Sequence, residues 1–273
     1  LAERHDYYAI TEVPGLEASR EQIARIYHRY RFALDYVQFG DVLEIACGSG
    51  IGLGYLAGKA RKIVGGDIDK KNIRIARGLY ANSAVQIYYM DAHALPFGKA
   101  TFDLVLLFEA IYYLDRPEIF IEESSRVLRN EGTLMICTVN KDWADFHPSS
   151  YARRYFSAQE LFSLLKNNFR HVELYGAFPS MVGGIWSHYL SILKRMALYF
   201  NLIPGSLKAR SYLKRLFLGP LTPLPDQIHE GMGVFDPPVL IVPDRINTDF
   251  KIIYAVAKKY SKLLKSAADI NRT

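Results

Sequence analysis

The segment Val42-Leu-Glu-Ile-Ala-Cys-Gly-Ser-Gly-Ile-Gly52 sets an apolar run against a glycine-rich turn, with one acid, Glu44, inside the run. A strand that ends in such a turn and opens a helix presents backbone N–H groups to a ligand, and Gly48 and Gly50 carry no Cβ to obstruct it. That much suits a dinucleotide as well as a cofactor with an amino-acid end. Glu44 favours the second, because a carboxylate there is badly placed for pyrophosphate and well placed for an ammonium. Asp67 closes the next apolar run, 63–67, and could accept hydrogen bonds from both hydroxyls of a ribose, a role also found in NAD enzymes. Asp69 suits the cap of the following helix. Asp91 opens Asp91-Ala-His-Ala-Leu-Pro-Phe97, where a carboxylate could accept from the exocyclic amine of adenine beside an apolar wall of Leu95, Pro96 and Phe97.

In order along the chain stand Leu43-Glu-x-Ala-Cys-Gly-x-Gly50, Val64-Gly-Gly-Asp67, Asp91-Ala-x-x-Leu-Pro-Phe97, Phe102-Asp-Leu-Val105 and Arg126-Val-Leu-Arg-x-x-Gly-x-Leu134. This set resembles the class I S-adenosylmethionine-dependent methyltransferases over residues 41–178, with 251–258 similar to the family's last strand. The resemblance implies an α/β, Rossmann-like fold: a seven-stranded, mostly parallel sheet with helices on both faces, its last strand antiparallel, and a helical insertion before that strand. It implies S-adenosyl-L-methionine as cofactor and S-adenosyl-L-homocysteine as product. Glu44, Gly48, Ser49 and Gly50 would face the methionine part with Ala46 and Cys47 beside them, and Asp67 and Ile68 the ribose. Asp91, Ala92 and His93 would lie at the adenine, and Phe108 near the sulfonium. Ala46 departs from the family pattern, which carries a glycine there; alanine is small enough for cofactor binding to survive.

A sulfonium is a strong methyl donor, so alignment can supply much of the acceleration, while a hydroxyl acceptor also gains from a general base. Candidates are His5, Tyr7 and Tyr8 on the N-terminal arm, Glu109, Tyr112 and Tyr113 after the fourth strand, and His147 after the fifth; each reads equally well as pocket lining. His28, His171 and His188 fall in helix or strand patterns and are expected to be packing or surface residues. No metal is expected, since Cys47 and Cys137 lack ligand spacing, and two cysteines build no disulfide framework. The 19 tyrosines suit a pocket for sugar or aromatic rings, although most tyrosines are core.

The elements that position these residues alternate between periods. Residues 17–38 have Ile23, Ile26, Tyr27, Tyr30, Leu34 and Val37 at helical spacing. Strands are expected at 42–46, 63–67, 85–90, 103–108, 133–139, 171–175 and 251–257. Helices are expected at 52–59, 70–80 and 116–129, and from a capping box at Ser157–Glu160 to residue 167. Alternation of this kind argues for a parallel sheet covered on both faces. The organisation is an arm and helix covering the cofactor (1–40), the binding core (41–178), an insertion (179–248), and a final strand with tail (249–273).

Lys plus Arg number 34 against 28 Asp plus Glu, a net charge of +6. Six of the bases (Lys194, Arg195, Lys208, Arg210, Lys214, Arg215) lie in an acid-free apolar stretch of the insertion, and without them the charges balance at 28 against 28. The insertion reads as an acceptor lid, as an element lying peripherally on anionic membrane, or as a homodimer interface. Such local basicity argues against nucleic acid as partner, as does Phe108-Glu-Ala-Ile where an RNA enzyme would carry Asn-Pro-Pro-Tyr. The expected partner is a small-molecule or glycan acceptor, with O-methylation of a sugar the leading reading. The arm Tyr8-Ala-Ile-Thr-Glu-Val-Pro-Gly15 resembles, more weakly, methyltransferases of polysaccharide biosynthesis. The alternatives are a membrane-associated lipid or quinone methyltransferase, an RNA methyltransferase, and a binding module without turnover. Leu1–Asp6 lacks the layout of a signal peptide, so the expected compartment is the cytoplasm, with contact at the inner membrane face as a variant.

Overall fold

The computed structural model describes residues 7–180 and 220–260. A 3-10 turn at Tyr7–Ile10 leads to the short strand β1 (Glu17–Ser19) and the helix α1 (Arg20–Val37). The helix starts three residues later than its apolar spacing suggests, because Ser19 caps it. The Ser19 hydroxyl accepts from the Gln22 N–H, and Gln22 Oε1 accepts from the Ser19 N–H. Residues 17–18 are taken instead by pairing with β8 (Leu221–Pro223).

The main sheet contains β2 (Asp41–Ile45), β3 (Lys62–Asp67), β4 (Gln86–Tyr89), β5 (Phe102–Phe108), β6 (Leu128–Val139), β7 (His171–Pro179), β9 (Val239–Ile241) and β10 (Phe250–Lys258). Their spatial order is β4-β3-β2-β5-β6-β10-β7-β9. Strands β2 to β6 pair in parallel, and β10 lies antiparallel between β6 and β7. All seven expected strands are therefore present, with the last antiparallel. The eighth, β9, comes from the 179–248 segment and adds to the edge at β7. Its three residues lie in a proline-rich stretch, too short to stand out as a strand by periodicity. The apolar-basic stretches 185–203 and 207–218, with all six bases, lie outside the described residues, as do His5 and His188. Among the described residues no helix is long and apolar enough to cross a membrane.

Helices α2 (Leu53–Ala57), α3 (Lys70–Leu79), α4 (Pro117–Val127) and α5 (Ala158–Leu165) cover the sheet. The expected helix 116–129 is shorter because Leu128 already pairs with Phe102 on β5. The register then shifts before Leu104, and Glu131 takes a left-handed φ of 63° where a turn was expected. The capping box at Ser157 forms as read, closed by Glu160.

Side chains of a strand alternate between faces, and that alternation orients the site. Leu43, Ile45, Val105 and Leu107 enter one core with Phe120 and Leu161; Val42, Leu104 and Leu106 enter the other with Tyr30, Leu53 and Leu56. Glu44 shares the parity of Val42, so its carboxylate is carried to the side covered by α1.

Candidate functional site

Beyond the carboxyl ends of β2, β3, β4 and β5 lies a cavity of about 390 Å3, within the roughly 300–1,000 Å3 usual for small-molecule sites. In open α/β sheets this edge is where ligands bind. At its floor Glu44 is 2% exposed, and its Oε1 accepts from the Tyr30 hydroxyl at 2.5 Å. Its other oxygen, Oε2, is buried without a partner. Burial pushes the Glu44 carboxyl up to about 7, against the lowering effect of Tyr30 and Arg29.

The turn after β2 runs through left-handed conformations at Ala46 (φ 56°), Gly48 (φ 57°) and Gly50 (φ 79°). An L-residue in that region costs about 1–2 kcal/mol, which is the physical reason a glycine suits position 46 and the cost that Ala46 carries here. Gly48 has a further constraint: a Cβ there would meet Thr11 Cγ2 at 2.8 Å. Its N–H donates to Asp67 Oδ2 (2.9 Å), while the Asp69 N–H donates to Asp67 Oδ1 (2.7 Å). The Asn72 side chain also hydrogen-bonds to this carboxylate, so the fold uses most, but not all, of its acceptor positions. Burial raises the Asp67 carboxyl above its ordinary range.

The N-terminal arm closes one wall. Glu12 forms a two-pronged ion pair with Arg29, which is 6% exposed, and the Glu12 carbonyl accepts from the Ser49 hydroxyl at 2.7 Å. Further along, the Tyr8 N–H donates to Asp69 Oδ2 (3.1 Å) and Asn72 Nδ2 to Thr11 Oγ1 (3.0 Å).

Past β5 the wall changes character. Glu109 holds a left-handed φ of 50°, with its N–H on the Cys137 carbonyl at 2.8 Å. Its carboxylate accepts from the Tyr112 hydroxyl (2.9 Å) and from the Cys137 thiol (3.7 Å). Burial raises its pKa, with Arg29 the main opposing charge. Tyr113 meets Tyr7 edge-on at 5.7 Å and Tyr112 at 4.5 Å; Tyr112 stacks on Tyr155, and Tyr155 meets Phe146. On the α1 side, buried His28 contacts the Tyr254 hydroxyl through Nδ1 (2.7 Å) and the Asp236 carbonyl through Nε2 (2.8 Å). Tyr254 in turn lies beside the Cys137 thiol.

Of the residues expected at the cofactor, Glu44, Ala46, Cys47, Gly48, Asp67, Ile68, Asp91, Ala92, His93 and Phe108 line the cavity. Ser49 and Gly50 stand behind that lining, Ser49 fixing the arm and Gly50 accepting the Tyr80 hydroxyl on its carbonyl. Asp91 is turned toward His93, whose N–H and Nδ1 both contact its Oδ1. Of the base candidates Tyr7, Glu109, Tyr112 and Tyr113 line the cavity; Tyr8 does not, and His147 is exposed away from it. Lining residues that sequence reasoning passed over include Glu12, Arg25, Arg29, Tyr30, Cys137 and Tyr254. Arg29 did leave a trace: it falls between Ile26 and Ala33 on the apolar face of α1, where an unpaired charge would be costly.

Residues 43–136 match the family described as a methyltransferase domain. That stretch, from β2 into β6, is similar to a methyltransferase domain. The match ends at β6, and the domain's remaining strands β7 and β10 are supplied by later sequence. A protein of Mycobacterium tuberculosis described as a "probable S-adenosylmethionine-dependent methyltransferase" is 34% identical over 131 residues, 46% of this chain and 46% of that protein. The chain therefore spans about half the length of the mycobacterial relatives it matches. A ubiquinone biosynthesis O-methyltransferase of Pelagibacter ubique is 26% identical over 168 residues, 61% of this chain and 68% of that one. Among solved structures, a SAM-dependent methyltransferase from Archaeoglobus fulgidus superposes with a TM-score of 0.56 at 17% identity, covering 89% of this chain and 95% of that one. At that identity the likeness concerns the methyltransferase fold.

Proposed function

We propose that the chain is an S-adenosylmethionine-dependent methyltransferase acting on a hydroxyl of a small molecule or glycan, a sugar hydroxyl in the first instance. The observation that carries the cofactor is Glu44 Oε2, a buried acceptor atom without a partner on the cavity floor. A buried polar atom of this kind calls for a donor, and the ammonium of an amino-acid moiety supplies one. The residues around it fit the rest of the group. Gly48 brings bare backbone to the cavity lining, and the Asp67 carboxylate beside it has remaining acceptor capacity for a ribose hydroxyl. Bound S-adenosylmethionine supplies an electrophilic methyl group on sulfur. The chain's residues orient it and, through the arm pinned by Glu12 and Ser49, exclude water.

The sugar reading is supported by the tyrosines at the other end of the cavity, since Tyr7, Tyr112 and Tyr113 offer ring faces and hydroxyls to a polar ring. A second reading, methylation of a quinone headgroup at a membrane, is favoured by the Pelagibacter relative. Strong stimulation by liposomes would support it over a soluble sugar acceptor.

Titration calorimetry of S-adenosylmethionine and S-adenosylhomocysteine against wild type and Asp67→Ala tests the cofactor. Loss of two charge-assisted hydrogen bonds, each worth roughly 1.5–3 kcal/mol, predicts an affinity at least about 100-fold weaker in the variant. Asp67→Asn, which keeps the acceptor oxygen for one of the two N–H groups, controls for damage to the turn. A folded wild type that binds neither ligand would overturn the reading.

A further inference from the structure

The acceptor is unidentified, but the wall that would meet it contains one group whose surroundings suit the removal of a proton. From the geometry of the cavity we infer that Glu109 is the general base of the transfer, and that its ionisation follows the charge on the cofactor's sulfur. The inference rests on the methyltransferase reading and deepens it.

Glu109 follows β5 directly, next to Phe108, at the strand end that faces the middle of the cavity. Its left-handed backbone costs free energy in a non-glycine residue and persists because the N–H is fixed on the Cys137 carbonyl. That conformation keeps the carboxylate on the cavity. The groups around it are Arg25 and Arg29 from α1, Glu12 from the arm, Tyr112 and Tyr113 from the turn after β5, Cys137 from β6 and Tyr254 from β10. Tyr112 and Cys137 donate to it. Both arginines are engaged by other acids as well, Arg29 by Glu12 and Arg25 by Glu21. Burial holds its proton affinity above that of an ordinary carboxylate, as a base working near neutrality requires.

Atoms and charges balance without a further reactant. The O–H bond of the acceptor breaks and its proton passes to the Glu109 carboxylate. The oxygen bonds to the methyl carbon as the carbon–sulfur pair returns to sulfur. A cation and a carboxylate are consumed together, and a neutral thioether and a carboxylic acid remain. A sulfonium bound next to Phe108 would favour the Glu109 carboxylate, whereas a thioether there would remove that bias and let the acid keep its proton.

The test needs no acceptor. Calorimetry of S-adenosylmethionine and of S-adenosylhomocysteine is run near neutral pH in buffers of different ionisation enthalpy, which counts the protons released by each ligand. Both ligands carry the same ammonium, so a contribution from Glu44 at that end cancels in the difference. The expected result is greater proton release by the sulfonium ligand in wild type, with the difference absent in Glu109→Gln although both ligands still bind. Equal release in wild type, or a difference that survives in Glu109→Gln, overturns the inference. Should Glu109→Gln not fold, Glu44→Gln decides: the difference must persist there, and its loss would assign it to Glu44. If neither ligand binds wild type, it is the methyltransferase reading that fails. A panel of methyl glycosides supplies the second readout. On any that wild type methylates, Glu109→Gln should lower kcat at least about 100-fold and abolish the acid limb of the pH profile. An unchanged kcat counts against the base.

Discussion

Glu44→Gln is expected to stabilise the protein above neutrality while weakening its hold on the cofactor. The carboxyl titrates at 4.5 in its ordinary state and at about 7 in the fold. A folded-state pKa above the unfolded value means that the native form holds a proton which the unfolded form releases. The stabilisation from that proton is complete below about pH 4.5 and is lost as pH rises through 7. The pKa difference corresponds to roughly 3 kcal/mol. Glutamine cannot ionise, so urea unfolding should show the variant ahead by about that amount at pH 8 and level with wild type near pH 4. Its amide nevertheless offers an ammonium no negative charge, and S-adenosylhomocysteine affinity should fall by 10-fold or more, on the order of 1.4 kcal/mol. A wild-type stability that is flat between pH 5 and 8 would mean that Glu44 is not held in this way. The expected pH dependence would instead make the cavity floor a place where an ionised, unpaired carboxylate destabilises the fold and a bound cation would relieve it.

The second large effect is expected from Gly52→Ala. Gly52 has a φ of −101°, which alanine adopts freely, so the effect is one of space alone. A Cβ at this position would lie 2.1 Å from both Cε1 and Cζ of Tyr30. Tyr30 cannot yield easily: it is 1% exposed, its ring meets Phe108 edge-on at 5.2 Å, and its hydroxyl is fixed on Glu44. Overpacking a core costs about 1–3 kcal/mol and sometimes more, and this contact belongs at the upper end. Urea unfolding should show a loss of about 3 kcal/mol, and calorimetry a loss of ligand binding as Glu44 is displaced. Gly52→Ala with Tyr30→Leu should recover stability but not affinity, since the hydroxyl that orients Glu44 is gone. A single variant within about 0.5 kcal/mol of wild type would show that the ring has room to move.

Both residues lie in the segment 42–52, which is also where the sequence was most legible. A strand, a glycine turn and a helix start are local features, written in consecutive residues, and the structure has them at the expected places. Glu44 could be oriented from sequence because parity along a strand is strict. The function of Gly52 could not, since its partner Tyr30 is brought up by another element. The same reasoning separates the site's two halves. Asp67, Asp91 and Gly48 belong to strand ends and turns with their own signatures, whereas the Glu12–Arg29 pair joins an irregular arm to a helix 17 residues on. Arg29 within the apolar face of α1 marked the helix as carrying a buried charge but could not name its partner. Long-range pairing also explains the differences in the fold. β1 is a strand because β8 lies beside it, β9 because β7 offers an edge, and α4 ends early because Leu128 finds Phe102.

The contact between His28 and the Asp236 carbonyl has a consequence at the opposite end of the imidazole. A carbonyl oxygen can only accept, so Nε2 must carry the hydrogen. Burial holds the ring neutral, leaving Nδ1 with a lone pair. The hydrogen of the Tyr254 hydroxyl is therefore spent on His28, and the oxygen that borders the cavity has lone pairs to offer. An ionised Glu109 offers the same. At Tyr254 and Glu109 the wall thus presents hydrogen-bond acceptors, while Arg25 and Arg29 supply guanidinium donors to the same cavity. If the acceptor is an alcohol, as proposed, its hydroxyl hydrogen would find an acceptor at Tyr254, whereas the methyl ether made from it would have no hydrogen left to give. That directional preference would be set by a backbone carbonyl outside the cavity lining.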